Sequence, residues 1–225
     1  MGRERVGVLV FSLLSFASGP LQAQLLSVGV KGGVPFTDAV EGSFGNRSEA
    51  RRYTVGPMVE VRLPFSLGVE FNALYKRTGY STIFESGFGI TSISQVRANS
   101  WEFPLLLKYY LPGRLLPARP FIEIGYVARH LDVVKAIASS FGRDSISGTI
   151  VNQTIPLNTS FLLRDNPTHG VAVGGGLRFL AGRLRIAPEI RYTRWTGRGF
   201  DEQGSRGFFV QSVQNQAEVL VGLSF

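Results

Sequence analysis

The C-terminal segment 216–225 alternates strictly between two kinds of side chain. Apolar side chains occupy every second position from Ala217 to Phe225, and the positions between them are polar or small except at Leu220. A period of two predicts a β-strand whose two faces meet different surroundings. One face of this strand suits an apolar phase and the other suits a polar interior.

The same alternation recurs along the chain. It is found in segments 25–35, 52–63, 67–76, 101–110, 121–130, 171–179 and 184–195. These segments have about the length that a tilted strand needs to cross a bilayer, and after residue 23 no apolar run approaches the ~20 residues of a membrane-spanning helix. In lipid, only helices and closed barrels satisfy every backbone polar group. The sequence therefore predicts an all-β fold, a closed antiparallel transmembrane β-barrel of eight strands.

The predicted connections alternate between two lengths. Short or Pro/Gly-rich turns are expected at 63–66, 111–120 and 181–183, and long polar loops at 36–51, 80–97, 131–168 and 196–214. This asymmetry is typical of outer-membrane barrels, whose periplasmic turns are short and whose outer loops are long. The long loops are therefore the expected place for a surface ligand. Segment 131–168 is long enough for a further hairpin, which would make ten strands.

The first residues have the order of a secretory signal. A short basic start precedes an apolar run over 6–19, and the small residue Ala23 follows. We expect residues 1–23 to be a cleaved signal peptide and residues 24–225 to form the barrel domain. The alternative is an uncleaved anchor helix, for which the apolar run is short. Export and alternation together predict the outer membrane of a Gram-negative bacterium.

Charges of both signs occupy the inward face of the predicted strands. They are Glu60, Arg62, Glu70, Lys76, Glu102, Lys108, Glu123, Arg129, Arg178, Arg185, Glu189, Arg191 and Glu218. The interior of an eight-stranded barrel is just wide enough to be filled by side chains, and isolated buried charges are costly. We therefore predict a lumen filled by paired charges. A narrow ion path is the alternative.

Aromatic side chains lie near the strand ends on the apolar face. They are Tyr53, Tyr75, Trp101, Tyr109, Tyr126 and Tyr192. Amphipathic rings favour the interface between membrane and water. We expect these residues to mark the two edges of the membrane.

The composition of the chain limits the classes of molecule that we expect it to bind. The chain has a formal net charge of +8, no cysteine and two histidines. The basic residues are scattered rather than clustered, which favours attraction to anionic lipids and lipopolysaccharide over nucleic acid. Two separated histidines without cysteine make a weak metal site, and we predict no cofactor.

One hairpin carries a resemblance to a known family. Residues 101–110 (WEFPLLLKYY), a turn, and residues 119–125 (RPFIEIG) resemble the middle hairpin of the PorT-like outer-membrane β-barrel domain family. Members of that family are similar to small barrels of the OmpA and OmpX kind, and the resemblance implies no catalytic motif. Val221, Leu223 and Phe225 resemble the C-terminal signal that the barrel assembly machinery binds.

The predicted function is a structural or interaction scaffold with long surface loops. A small channel or porin-like protein is one alternative, and a soluble lipocalin-like ligand-binding barrel is another. A lipid-modifying outer-membrane enzyme is the least favoured, because His130 has Asp132 two residues later where such an enzyme is expected to have serine. No catalytic residue is therefore predicted.

Overall fold

The computed structural model describes residues 25–38, 40–42, 46–48, 53–86, 88–112, 118–157, 164–199, 201–203 and 209–225. The predicted signal peptide lies outside these residues. The strands are β1 (Leu26–Pro35), β2 (Val40–Gly42), β3 (Asn46–Ser48), β4 (Thr54–Arg62), β5 (Leu67–Asn72), β6 (Leu74–Glu85), β7 (Ile90–Tyr110), β8 (Ala118–Arg143), β9 (Ile150–Pro156), β10 (Thr168–Ala181), β11 (Leu184–Trp195), β12 (Asp201–Gln203), β13 (Phe209–Ser212) and β14 (Asn215–Ser224). No helix in the described part of the chain is long and apolar enough to span a membrane.

A closed antiparallel ring of eight strands forms the barrel. Around the ring the order is β1, β4, β5 continued by β6, β7, β8, β10, β11 and β14. The terminal strand closes it, because β14 pairs with β1 from Ser224 opposite Gly29 to Glu218 opposite Pro35. The predicted eight-strand barrel is confirmed. β9 pairs with β8 beyond the ring, so the extra hairpin in 131–168 does not make ten barrel strands.

The third barrel strand is interrupted at Ala73, between β5 and β6. Both parts pair with β4, and the Ala73 N–H still donates to the Pro57 carbonyl across the break at 3.1 Å. A Cβ atom on Gly56 would lie 1.9 Å from the Ala73 carbonyl oxygen. Only glycine fits this close approach of two backbones.

The structure corrects two of the predicted loops. Residues 80–97 are mostly strand, because β6 continues to Glu85 and β7 begins at Ile90 after a tight turn. Residues 131–168 are also largely strand, since β8 continues to Arg143 and β9 follows. Their outward faces mix exposed apolar residues such as Ile83 and Phe141 with charged ones such as Arg97. The regular apolar alternation of the lipid-facing segments is therefore missing there. We call the parts of β6 to β9 at 77–85, 90–100, 131–143 and 150–156 the outer wall.

A small second sheet lies at the same end of the barrel as the outer wall. It consists of β2, β13 and β12, and Ser212 of β13 pairs with Val40 of β2. These strands belong to segments 36–51 and 196–214, which were predicted to be loops. Two long connections of the barrel therefore pair with each other over its outer opening.

Candidate functional site

The inward faces of five barrel strands converge on a central charge cluster. Its members are Lys31 of β1, Glu70 of β5, Lys108 of β7, Glu123 of β8, and Glu189 and Arg191 of β11. Strand alternation explains the convergence, since every second side chain of a barrel strand points inward. All six are buried, and three cations face three carboxylates.

Lys31 joins two carboxylates of the central charge cluster. Its Nζ lies 2.5 Å from Glu70 Oε1 and 2.8 Å from Glu189 Oε1. Lys108 Nζ lies 2.6 Å from Glu70 Oε2 on the other side. The side chains of Lys31 and Glu70 are fully buried, so neither charge has solvent to stabilise it. Each depends on its partners, because an isolated buried charge is very costly.

Arg191 completes the cluster through its guanidinium group. Its Nε donates to Glu123 Oε1 at 3.0 Å and its Nη2 to Glu189 Oε1 at 2.6 Å. A Cβ atom on Gly174 would lie 2.9 Å from Glu123 Oε1, so the glycine leaves room for this carboxylate.

The three carboxylates of the cluster have a spacing that suits a cation. Oxygen atoms of Glu70, Glu123 and Glu189 lie within 4.8 Å of one another. The ammonium groups of Lys31 and Lys108 and the Arg191 guanidinium already contact these carboxylates. The donor set therefore favours internal ion pairs over a metal ion, whose positive charge these cations would repel.

A second layer of charges lies nearer the outer opening. Lys76 Nζ lies 2.9 Å from Glu102 Oε2 and 2.8 Å from Glu218 Oε1. The Thr54 hydroxyl also donates to Glu218, at 3.1 Å. Arg129 stacks its guanidinium 4.2 Å from the centre of the buried Trp195 ring.

A small cavity lies beside this second layer. Its volume is about 20 Å³, enough for one water molecule. Several buried polar atoms that have no hydrogen-bond partner in the described structure belong to residues lining it: Ser100 Oγ, Glu102 Oε1, Arg129 Nε and Nη2, and Gln216 Nε2. One ordered water molecule there would satisfy part of this group.

A third layer lies toward the short turns. The Tyr110 hydroxyl donates to Glu60 Oε1 at 2.6 Å, and Arg178 Nη1 lies 3.3 Å from the same oxygen. The Arg178 guanidinium also stacks 3.9 Å from the centre of the Tyr110 ring. Arg62 Nε lies 3.9 Å from Glu60, and Arg185 donates to the Ser27 hydroxyl.

Apolar side chains close the outer end of the lumen. This outer plug consists of Val40, Tyr80, Val96, Ala98, Leu131 and Ala136, all buried and packed together. Val40 comes from the small second sheet, and the other members come from the inward face of β6, β7 and β8. Charged layers and apolar plug therefore follow one another along the lumen.

The outside of the barrel carries an exposed apolar belt. Its members include Val28, Val30, Val55, Phe71, Phe103, Leu105, Leu107, Ile122, Ile124, Val171, Val173, Ile190, Val221 and Leu223. Along β7 the outward run from Trp101 to Tyr109 rises about 20 Å, for ~3.4 Å per residue and a tilt of ~40°. A lipocalin-like barrel would have the opposite arrangement, so that alternative is wrong.

The predicted interface aromatics divide between the two edges of this belt. Tyr53, Tyr75 and Trp101 form a row of ring contacts toward the outer wall, with centroids 6.4 and 5.2 Å apart. The Tyr75 hydroxyl donates to Asn99 at 2.8 Å, on the outer side of the ring. Tyr109 lies at the short-turn edge, opposite Leu67.

Tyr126 and Tyr192 also direct their hydroxyls toward the outer end. Tyr126 bonds His169 Nδ1, and Tyr192 donates to Asn215 at 2.8 Å. His169 and Asn215 lie near the starts of β10 and β14, which run away from the outer opening. An apolar ring with a polar tip toward water is the arrangement expected at a membrane edge.

Most of the predicted lumen charges are buried in the structure, and one further charged residue joins them. Of the predicted residues, only Arg62 and Arg185 are half-buried rather than buried, at the short-turn end. Lys31 was missed, although it contacts two members of the central charge cluster. Its signal was present, because it lies on the polar face of segment 25–35, but that segment had the weakest alternation.

The residues of the predicted assembly signal lie along the outward face of the closing strand. Val221, Leu223 and Phe225 are all exposed there, Phe225 most of all at 70%. An exposed apolar strand face in a closed barrel suits lipid contact.

The closed ring, charged interior and apolar exterior define the fold of a small outer-membrane β-barrel. Among solved structures, OprG from Pseudomonas aeruginosa matches with a TM-score of 0.51 and 11% identity, covering 89% of this chain and 93% of that chain. Neisserial surface protein A matches with a TM-score of 0.42 and 11% identity, covering 88% of this chain and 95% of that chain. At such identities the likeness concerns the fold alone.

The sequence comparisons do not assign the chain to a protein family. No protein-family model matches the chain, and no curated protein sequence matches it.

Proposed function

We propose that this chain is an outer-membrane protein whose barrel is a closed scaffold and whose outer wall and loops form an interaction surface. The observation that carries the proposal is the polarity of the barrel, with ion pairs inside and exposed apolar side chains outside. Such a surface would aggregate in water but matches the hydrocarbon core of a bilayer.

The layered lumen supports a scaffold over a channel. An open pore requires a continuous water path, whereas here the central charge cluster, the second layer and the outer plug fill successive levels. Lys31, with no exposed side-chain surface, lies where such a path would run. The projecting outer wall is then the part of the molecule that partners reach.

Conductance of refolded protein in planar bilayers tests the closed lumen. Heat-modifiable migration on a gel first establishes that the barrel has folded and inserted. We expect inserted protein without conductance steps. Stable steps from folded wild-type protein would favour the channel, and recovery in the aqueous periplasmic fraction without detergent would contradict the membrane location.

Protease treatment of intact cells tests the orientation. At the tip of the β8–β9 hairpin residues 145–149 are exposed, with Ile146 at 77%. We expect cleavage at this tip. Cleavage confined to segment 111–120, with the tip intact, would invert the topology.

The scaffold proposal includes the absence of enzymatic activity. His130 Nε2 lies 3.1 Å from Asp132 Oδ1, and both side chains are half exposed on the outer surface. The variant His130→Ala should leave the lipid A profile of the cell unchanged. A changed profile would support the lipid-modifying alternative.

Three narrower predictions belong to this proposal. They are export through residues 1–23, binding of the C-terminal segment 221–225 by the barrel assembly machinery, and membership of the PorT-like family. The hairpin formed by 101–110 and 119–125 supports the last, because the two segments pair directly from Leu106 opposite Gly125 to Tyr110 opposite Phe121.

A further inference from the structure

The turn that joins β4 to β5, at the short-turn end of the barrel, holds two side chains in a strained conformation. Within the described part of the chain, Phe65 and Ser66 are the non-glycine residues with positive φ, at 61° and 63°. The Leu67 N–H donates to the Pro64 carbonyl at 3.4 Å, so both strained residues occupy the centre of a two-residue turn. Asn-Gly adopts such a turn without strain, whereas a bulky side chain with positive φ is a genuine outlier.

Contacts of Ser66 with the neighbouring strands hold this conformation in place. The Tyr110 N–H of β7 donates to the Ser66 carbonyl at 2.8 Å, and Arg119 Nη2 of β8 donates to the Ser66 hydroxyl at 2.9 Å. The Arg119 guanidinium also lies over the Tyr110 ring, 5.4 Å from its centre. The backbone at Phe65 is therefore fixed by contacts in which the Phe65 ring takes no part.

The Phe65 ring is presented to the surroundings of the barrel. Its exposed fraction is 89%, the largest among the large apolar side chains that the structure describes. Packing inside the protein therefore does not explain a phenylalanine at this position, and neither does the conformation of the turn. Strained residues cluster at functional sites, where an interaction compensates for their cost.

The position of Phe65 indicates contact with the short-turn edge of the lipid belt. Val61 and Leu63 precede it at a spacing of two, and both are exposed at 41%. Leu67 pairs with Tyr109, which marks this edge of the belt. Phe65 lies two residues beyond Leu67, which along a tilted strand is about 5 Å below the edge. This depth corresponds to the headgroup layer of a bilayer, where aromatic rings are favoured.

The two edges of the belt differ in their aromatic side chains. Of the six predicted interface aromatics, Tyr109 is the one that lies at the short-turn edge, opposite Leu67. The other five lie toward the outer wall, so the barrel is held more firmly at its outer edge. A second ring at the short-turn edge would oppose displacement of the barrel along the membrane normal.

We propose that the turn 63–67 docks on the phospholipid headgroups of the inner leaflet through the Phe65 ring. The strained backbone keeps the ring directed away from the barrel, and contact with lipid removes it from water, which compensates for the strain. Docking at this edge fixes the depth of the barrel, and thereby the height at which the outer wall projects. This inference rests on the proposed insertion in the outer membrane.

Fluorescence quenching in phosphatidylcholine vesicles tests the depth of the ring. The test variant is Phe65→Trp. The matched control is Ile146→Trp at the tip of the outer wall, where the native side chain is 77% exposed. We expect a nitroxide on the lipid headgroup to quench most of the fluorescence that Phe65→Trp adds to the wild-type signal. Water-soluble acrylamide should quench it less than the fluorescence that the control adds, on which the lipid nitroxide should have little effect.

A second variant measures the same depth with a different probe. The chain has no cysteine, so Phe65→Cys accepts a single nitroxide label. Its collision rates with oxygen and with a water-soluble nickel complex should place the label in the headgroup layer. Heat-modifiable migration of each variant establishes that the barrel has folded.

The outcomes separate the docking from the proposed function. Wild-type protein that does not insert, with Trp101 unquenched by lipid nitroxides, would contradict the membrane location itself. Normal insertion with both probes at position 65 fully accessible from water would overturn the docking alone, and would leave the ring free for a periplasmic protein. Equal quenching of the test variant and the control by the headgroup nitroxide would also overturn it.

Discussion

The belt and the outer wall are built from the same strands, yet they turn opposite faces toward apolar surroundings. In the belt, β7 exposes Phe103, Leu105 and Leu107 and buries charges inside. In the outer wall, the same strand buries Val96 and exposes Arg97. The alternation continues without interruption, but its polarity inverts where β7 leaves the belt.

This inversion shows that the solvent determines which face of the strand is apolar. In lipid the barrel presents apolar side chains outward and must pair every inward charge. Above the membrane the outside is wet, so apolar side chains turn inward and pack as the outer plug. Three comparisons of substitutions in these two regions, and a titration at the tip of the outer wall, test this account.

The largest effect is expected inside the belt. Lys31→Met leaves Glu70 and Glu189 without one shared cation, and removing one partner of a buried ion pair costs about 3 to 5 kcal/mol. Urea unfolding in lipid vesicles, followed by tryptophan fluorescence, measures the loss. Lys135→Met, an exposed cation of the outer wall, should change stability by less than about 0.5 kcal/mol. Equal effects would mean that the lumen is solvated rather than dry.

The second largest difference between the two regions is expected for an arginine that is introduced on the outward face of β7. Leu105→Arg places a charge on the lipid face of β7 and should cost about 2 to 4 kcal/mol. Thr91→Arg makes the same change on the same face within the outer wall, where Glu85 is its cross-strand partner. It should be neutral within about 0.5 kcal/mol. A large cost at both sites would place the outer wall in lipid too.

The third comparison concerns a substitution on the inward face of the outer wall, within the outer plug. Val96 is fully buried, and Val96→Ala removes two methyl groups at about 0.8 kcal/mol each, with a further cost for the cavity. We expect a loss of about 2 kcal/mol in the same unfolding measurement. Gln95→Ala, its outward neighbour, should change little. A smaller loss at Val96 than at Gln95 would contradict the inverted polarity.

The smallest effect is expected at the tip of the outer wall. The backbone N–H groups of Ile146 and Ser147 donate to Asp144 at 2.8 and 3.2 Å and hold the pKa of its carboxyl below its usual value. This stabilisation of the turn is complete above the ordinary aspartate pKa of ~3.9 and is lost as the pH falls through the lower native pKa.

Amide resonances of Ile146 and Ser147 report this titration. Their midpoint should fall below the ordinary aspartate value, and the Asp144→Asn variant should show no titration. A midpoint at or above the ordinary value would mean that the turn does not hold the carboxylate.

The sequence was sufficient for the barrel because lipid imposes a simple pattern. Apolar residues from Ala217 to Phe225 face outward, and this alternation predicted that the last segment is a strand between an apolar phase and a polar interior. The inward position of Glu189 and Arg191 was predicted from the same alternation in segment 184–195. The first barrel strand was harder, since Gly29, Gly32 and Gly33 weaken its pattern, and Lys31 was missed there.

Contacts across the ring could not be predicted from any strand alone. Lys31 and Glu189 are far apart in sequence, and only closure of the ring brings them to 2.8 Å. The outer wall escaped prediction for a different reason. Residues such as Ser92 and Ser140 pair across β7 and β8 in water, where no lipid enforces an apolar face.

The sequence by itself determined the strand period, the lipid-facing residues and the inward placement of the charges. The physical reason is that a bilayer tolerates only outward apolar side chains and satisfied backbone groups. Tertiary structure decided which charge pairs with which, how far the strands project and what fills the outer opening. These features depend on barrel closure and strand register, which align residues that the alternation leaves unrelated.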